Sequence, residues 1–242
     1  INDIDNASYK GNIIFDEFNI GTFLNDPKLN VTSLNLDIDG KGFAWNNIDT
    51  EIVGNIFLIE YNDYVYKGID VSGNLKRNIF NGKLVSNDEN LKLNFDGLAN
   101  FSEAIYSFDF VADVEYANLK ALNFVKKDSL SIFKGLVNMK MKGISLNDAV
   151  GDISFKNTYY KNETDDYVFT DFALTSTFID NVRFIDVNSP DIIEGQLSGN
   201  FLFEDIQKLF ENSLGSIYAN YIPHKVENNQ FIDFNFNIYN KI

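Results

Sequence analysis

The side chains that could do chemistry in this sequence are few and stand far apart. Its 242 residues include no cysteine and one histidine, which excludes thiolate nucleophiles, cysteine-ligated zinc, iron–sulfur clusters and multi-histidine metal sites. The histidine, His224, lies in Tyr221-Ile222-Pro223-His224-Lys225 with no nucleophile signature near it. A general base needs a nucleophile and an orienting partner, so we interpret His224 as a surface loop residue.

The carboxylates offer two further possibilities. Asp37-Ile38-Asp39-Gly40 resembles the opening of a calcium loop, but the later oxygen ligands and the closing Glu are missing. A catalytic pair of acids on a closed sandwich, in an enzyme or a sugar-binding module, stays open because a sequence does not reveal spatial pairing. Most acidic residues, however, fall at alternating strand positions or in turns. The sequence therefore predicts a protein that is not an enzyme and has no metal site and no cofactor.

The charge balance limits the partners. The chain carries 20 basic and 35 acidic side chains, for a formal net charge of −15. This charge repels a phosphate backbone, so we expect no nucleic-acid partner. Hydrophobic residues make up 45% of the chain, with 23 Phe and 12 Tyr, a composition that supports a folded core and favours strands.

Alternation of apolar and polar residues recurs along the whole chain. In residues 91–96 the order is Leu, Lys, Leu, Asn, Phe, Asp, and residues 232–238 alternate in the same way. A period of two is typical of antiparallel strands with one buried face, and the length accommodates roughly 14–18 of them. We predict a single all-β domain over residues 1–242: an elongated, curled, U-shaped antiparallel sheet with an apolar interior and one short helix.

Turn residues and glycines divide the alternating runs. We predict turns at Tyr61-Asn62-Asp63, Asn81-Gly82 and Asp96-Gly97, where Asn, Asp and Gly tolerate positive φ. Gly54 and Gly199 fall inside strand-like runs instead, where glycine marks a bulge, a bend or a close approach of two backbones. A sheet with such bend points can curl.

Two segments depart from alternation. Residues 204–215 place Ile206, Leu209 and Leu214 at helical spacing, with acidic residues in the first turn and glycine at the end, which predicts a short amphipathic helix. Residues 145–149 favour a single helical turn.

The apolar side chains on one face exceed what this helix could cover, and a sheet must bury such a face against something. Either the sheet packs on itself and these residues form an ordinary core, or it stays open as an apolar trough that binds lipid acyl chains. The inward residues that we predict for the lipid groove are Leu34, Leu36, Ile38, Ile56, Leu58, Leu91, Leu93, Phe95, Phe108, Phe110, Phe172, Leu174, Phe201, Phe203, Phe234 and Phe236.

The strand and turn pattern also resembles a known family. Three segments resemble the TamB family, whose members are the large component of the translocation and assembly module in the AsmA-like group. They are TSLNLDIDGKGF (32–43), IDTEIVGNIFLIEYNDYVYKGIDVSGNLKRNIFNGKLVSNDENLKLNFDGLANFS (48–102) and YSFDFVADVEYANLKALNF (106–124). The resemblance extends from about Asn30 to the end of the chain.

This resemblance implies a location and a role. Members of the family are anchored in the inner membrane by an N-terminal helix and cross the periplasm as a long β-structure with an apolar interior. They pair with an outer-membrane barrel of the assembly-factor type and are implicated in phospholipid transfer and outer-membrane biogenesis. We therefore expect a segment of a larger periplasmic protein whose partners are phospholipid and, through regions outside the segment, that barrel. The alternative is a chaperone or scaffold that takes up strands of outer-membrane proteins by β-augmentation.

Overall fold

A computed structural model describes residues 7–24, 26–43, 46–100, 105–218, 220–227 and 229–239. These residues form one curled, unclosed sheet of thirteen strands, and each strand pairs antiparallel with the strands before and after it in the sequence. The predicted all-β class with a curled antiparallel sheet is confirmed. The strand count of 14–18 was too high, because single strands reach 14 residues and two connections are long.

The strands are β1 (Ser8–Asn19), β2 (Leu29–Lys41), β3 (Asp49–Tyr61), β4 (Tyr64–Lys76), β5 (Ile79–Asn87), β6 (Leu91–Asn100), β7 (Tyr106–Asn118), β8 (Ile132–Gly143), β9 (Val150–Lys161), β10 (Asp166–Ile179), β11 (Val182–Ser189), β12 (Ile193–Asn200) and β13 (Phe231–Ile238). A one-turn helix, α1 (Ile20–Leu24), follows β1, and the predicted amphipathic helix is α2 (Ile206–Gly215). The helical turn predicted at residues 145–149 is a 3-10 helix at Leu146–Asp148. A second 3-10 helix, Phe203–Asp205, leads into α2.

One face of the sheet carries mainly apolar side chains from the first strand to the last. Paired residues of antiparallel strands place their side chains on the same face, so the register defines rows across the sheet. One such row contains Gly11, Ile38, Ile52, Gly73, Gly82, Gly97, Phe110, Met139, Ile153, Leu174, Val187, Gly195 and Phe236. No member of this row carries a charged or polar side chain. We call the face that bears it the inner face.

The opposite, outer face is mainly polar. The neighbouring row on that face contains Asn12, Asp37, Val53, Ser72, Lys83, Asp96, Val111, Asn138, Ser154, Ala173, Asn188, Glu194 and Asn237. Cross-strand ion pairs join Lys83 to Asp96 and Lys140 to Asp109, each with 3.3 Å between nitrogen and oxygen. Because these side chains are more than half exposed, each pair contributes only about 0–1 kcal/mol and serves mainly to favour one register.

Two of the predicted turns are wrong. Asn81-Gly82 and Asp96-Gly97 lie in the middle of β5 and β6, whereas Asn62 and Asp63, with φ of 52° and 62°, form a turn as predicted. The glycines serve cross-strand packing instead, since Gly82 pairs with both Gly73 and Gly97. A Cβ on Gly82 would lie 2.4 Å from the carbonyl oxygen of Ser72, so the backbones meet where any other residue would clash.

The buried core is small and lies at one end of the strands. Tyr66, Ile69, Val114, Ala117 and Leu122 form it. The first four belong to β4 and β7, and Leu122 belongs to residues 119–131, which connect β7 to β8. We call this connection the strap. It covers part of the inner face at this end of the strands, and at the C-terminal edge of the sheet Phe210 of α2 contacts Phe234 of β13, with ring centroids 5.6 Å apart.

The close approach at Gly54 gives a test of the curled sheet. Gly54 has a φ of +152°, and a Cβ there would lie 2.2 Å from the carbonyl oxygen of Asn35 on β2. We expect Gly54→Ala to lower the free energy of unfolding by about 1–3 kcal/mol, because both the φ and the contact are unfavourable for alanine. Urea denaturation measures the change. The matched control is Gly11→Ala on the same face, where nothing lies within 4 Å of the added Cβ and stability should be unchanged or slightly higher. Equal losses for both variants would contradict the interpretation.

Candidate functional site: the apolar inner face

Most of the predicted groove residues lie together on the inner face. The register places there Leu34, Leu36, Ile38, Ile56, Leu91, Leu93, Phe95, Phe108, Phe110, Phe172, Leu174, Phe234 and Phe236. Neighbouring rings are in contact, and the centroids of Phe95 and Phe110 are 5.0 Å apart. The alternation of the sequence therefore identified one continuous surface.

Three of the predicted groove residues do not lie at inner-face positions of a strand. Leu58 pairs with Ser33 and the exposed Lys67, while its neighbour Ile59 pairs with Tyr66 and packs against the core. The pairing of β2 with β3 is irregular between Ser33 and Leu34, and this irregularity changes the face on which the following residues of β3 lie. Leu58 therefore lies on the outer face. Phe201 and Phe203 follow β12 rather than lying in a strand, with ring centroids 5.8 Å apart.

The inner face is only partly covered by the chain itself. Of the predicted groove residues, Leu34 and Phe201 are buried, each 6% exposed. The others are half-buried, apart from Phe234, which is 48% exposed. A tightly closed sandwich would leave such side chains fully buried. The inner face therefore retains apolar surface that another molecule could cover.

An apolar cavity of about 420 Å³ lies on the inner face near the start of β7 and the end of β8. Side chains from both strands line it: Tyr106, Phe108, Met139 and Met141. Sequence reasoning missed the two methionines, although Val137, Met139 and Met141 alternate with polar residues and gave the same signal as the predicted strands. Lys142 and Gly143 at the end of β8, together with residues 144–146 and Ala149 in the connection from β8 to β9, form the other wall of the cavity.

A buried arginine holds that connection in place. Arg183 on β11 is 2% exposed, and its register with Gly199 sets it on the inner face. Its guanidinium donates hydrogen bonds to the carbonyl oxygens of Leu146 (3.4 Å), Ala149 (3.5 Å) and Asn147. The guanidinium also lies over the ring of Phe203, at 5.0 Å from the centroid, which joins residues 146–149 to the segment after β12.

Two ionisable groups at this connection, Arg183 and Asp148, have pKa values below their usual ones. Burial lowers the pKa of Arg183, and the nearby charge of Asp148 opposes that shift. Hydrogen bonds from the backbone N–H of Ile144 (2.7 Å) and the hydroxyl of Ser145 (2.7 Å) lower the pKa of Asp148. The charged carboxylate thus caps residues 144–148, and the fixed loop bounds the cavity.

The remaining candidates for chemistry lie apart. His224 is exposed in the loop after α2, with its Nε2 atom 2.7 Å from a carboxylate oxygen of Glu211. Within the described part of the chain, no cluster of three or more His, Asp or Glu residues could hold a metal ion. Nor does any helix among those residues have the length and hydropathy needed to cross a membrane.

Comparisons with known proteins found no relative. No family model, no curated protein and no solved structure matches the chain. The resemblance to the TamB family therefore stays a prediction from the strand and turn pattern.

Replacing Arg183 tests its role as the anchor of residues 146–149. We expect Arg183→Met to lower the free energy of unfolding by about 2–4 kcal/mol, because it removes the hydrogen bonds that a buried guanidinium donates to three carbonyl oxygens. Chemical denaturation measures this loss, and the other arginine of the sequence, Arg77, provides the control: it is exposed, and Arg77→Met should change stability by less than about 0.5 kcal/mol. A fully stable Arg183→Met variant would show that the connection holds itself.

Proposed function

We propose that this chain is a periplasm-spanning segment of a lipid conduit: it is not an enzyme, and it carries phospholipid acyl chains along its inner face between the inner and outer membranes, in support of outer-membrane biogenesis. The observation that carries the proposal is the inner-face row that crosses all thirteen strands without a polar side chain. At about 4.8 Å per strand, this row extends for roughly 58 Å along the sheet.

The energetics favour an acyl ligand. Each methylene that leaves water for an apolar surface contributes about 0.8 kcal/mol, and the inner face offers half-buried Phe, Leu, Ile and Met along its length. A uniformly apolar row gives no single preferred position, so a chain can move along it without breaking polar contacts. The outer face is polar and stays in contact with water.

The location and the partners rest on the resemblance to the TamB family. It supports a periplasmic segment of a protein anchored in the inner membrane, with an outer-membrane barrel of the assembly-factor type as the partner of regions outside this segment. Since no relative matches the chain, the apolar inner face of the sheet is the support for the conduit that does not depend on this resemblance.

A second candidate function is a chaperone or scaffold for outer-membrane protein assembly. The observation that favours it is the unclosed sheet, since β1 and β13 each have one strand neighbour among the described residues. Such edges can accept an extended client segment through backbone hydrogen bonds. Photo-crosslinkers on β13 would then capture client strands, whereas crosslinkers at inner-face positions would capture lipid if the chain is a conduit.

Phe110 and Val111 provide a matched test of the conduit. They are adjacent on β7, but Phe110 lies in the apolar inner row and Val111 lies on the outer face, 44% exposed. We expect Phe110→Asp to weaken binding of a fluorescent fatty acid at least tenfold, because a carboxylate in the path is costly to desolvate, and Val111→Asp to leave it unchanged. Fluorescence titration measures both, and native mass spectrometry of the purified wild-type chain should detect bound phospholipid.

Unfolding must be separated from loss of binding. Circular dichroism checks that each variant is folded, and Phe236→Asp on the edge strand β13 is a second inner-row variant in case Phe110→Asp does not fold. If folded inner-row variants bind the fatty acid as well as Val111→Asp does, the conduit proposal fails.

A further inference from the structure

We propose that the strap is an internal occupant of the lipid path. Leu119 and Leu122 lie on the inner face where an acyl chain would lie, and an acyl chain that enters this part of the face displaces them. The inference rests on the proposed function, because it concerns which part of the inner face a lipid can reach.

The position of Leu122 carries the argument. Its side chain is 0% exposed and belongs to the buried cluster that contains Ile69 of β4 and Val114 of β7. These two residues lie in one inner-face row, which runs through Ser86 of β5 and Leu93 of β6. Leu119 packs against the same cluster. The strap therefore covers the inner face from β4 to β7 with two leucine side chains.

At the base of the strap the buried hydroxyl of Ser131 donates to the hydroxyl of Tyr160 on β9 at 3.1 Å, and beyond this base the strap is held to the sheet by polar contacts near the ends of hairpins. The side-chain amide of Asn123 donates to the carbonyl oxygen of Asn62 in the turn between β3 and β4, at 3.0 Å. On the other side, the backbone N–H of Ser129 donates to the carboxylate of Glu163 in the turn between β9 and β10. Both contacts involve exposed groups, and hydrogen bonds of that kind open more readily than a buried core does.

The strap also has a local structure that can move as one piece. The backbone N–H of Phe124 donates to the carbonyl oxygen of Leu119 at 2.9 Å, and that of Leu122 donates to the carbonyl oxygen of Asn118 at 3.0 Å. The backbone N–H of Leu119 in turn donates to the carbonyl oxygen of Ser131 at 2.7 Å, which closes the segment at its base. The strap can therefore leave the inner face without disturbing the pairing of β7 with β8.

An acyl chain can replace the leucines because the contact is apolar on both sides. The cluster contains one hydroxyl, that of Tyr66, while Ile69, Val114 and Ala117 offer no side-chain hydrogen-bonding group that would distinguish a leucine from a methylene chain. Burial of either one against them has the same physical origin and scales with the apolar area covered. Binding beneath the strap is then a competition between the strap and the ligand, and weaker closure raises the apparent affinity.

Hydrogen exchange of the wild-type chain with and without oleate tests the displacement. We expect oleate to raise the exchange rate of the Ser129 amide at least several-fold, because this N–H loses its bond to Glu163 when the strap leaves the sheet, while amides of the paired strands stay as protected or become more so. Oleate binding with unchanged or slower exchange in the strap would overturn the proposal.

Leu122→Ala tests the competition directly. We expect it to bind cis-parinarate, a fatty acid that fluoresces when shielded from water, about five- to tenfold more tightly than the wild type, because the internal competitor is weakened. Phe124→Ala is the matched control in the same segment, since that side chain is 60% exposed, and its affinity should be unchanged. If Leu122→Ala does not fold, Asn123→Ala removes the tie to Asn62 and disfavours the positive φ of 63° at this position, and because both changes loosen the strap it should tighten binding by a smaller factor.

The outcomes separate this proposal from the conduit itself. If the wild-type chain binds neither cis-parinarate nor oleate, the proposed function fails and this inference fails with it. If the wild type binds and Phe110→Asp weakens binding, but Leu122→Ala and Asn123→Ala bind as the wild type does, only the role of the strap is overturned.

Discussion

The structure depends on one constraint: each antiparallel pairing must keep the apolar residues of successive strands in phase. A slip of one residue would turn a strand over and carry its charged residues onto the inner face. The register irregularities are compatible with this constraint because of where they lie along the strands. Those between Phe15 and Phe18, Lys92 and Leu93, and Val114 and Ala117 all lie toward the strap end of the strands. The row through Gly73, Gly82 and Gly97 therefore stays in phase across the whole sheet.

A single sheet with one apolar face has to limit the contact of that face with water, and here the chain does so at opposite ends of the strands. The strap supplies Leu122 at one end, over β4 to β7. Arg183 organises the other end, where it connects residues 146–149 to Phe203. The two devices differ in chemistry: the strap covers the face with apolar side chains, whereas the arginine uses its donors to fix backbone beside a cavity. What lies between them is the half-buried surface on which the proposed function rests.

The sequence allowed the two faces to be predicted, because side-chain alternation is a local property of each strand. It did not allow us to predict the positions at which a strand changes the face on which its alternate side chains lie. For that reason Leu58 was assigned to the wrong face. Gly82 was read as a turn because its pairing with Gly73 and Gly97 depends on strands distant in sequence. The strap contact between Asn123 and Asn62 joins residues 61 positions apart and left no local signal. Arg183 did leave one, since it alternates in phase with Ile185 and Val187, and an arginine in such a position needs buried acceptors.

The two candidate functions place compatible demands on this sheet. In an unclosed sheet the inner row reaches both edge strands, at Gly11 of β1 and Phe236 of β13, so the apolar path is not closed off by strand pairing. A strand added to β13 would have to place an apolar residue beside Phe236 to keep the inner face continuous, and it would lengthen the path by about 4.8 Å. Strand addition selects segments by the same period-two alternation that builds the sheet. A client with that alternation would extend the proposed lipid path rather than block it, so the proposed acceptance of strands at an edge and the proposed passage of acyl chains along the inner face do not exclude each other.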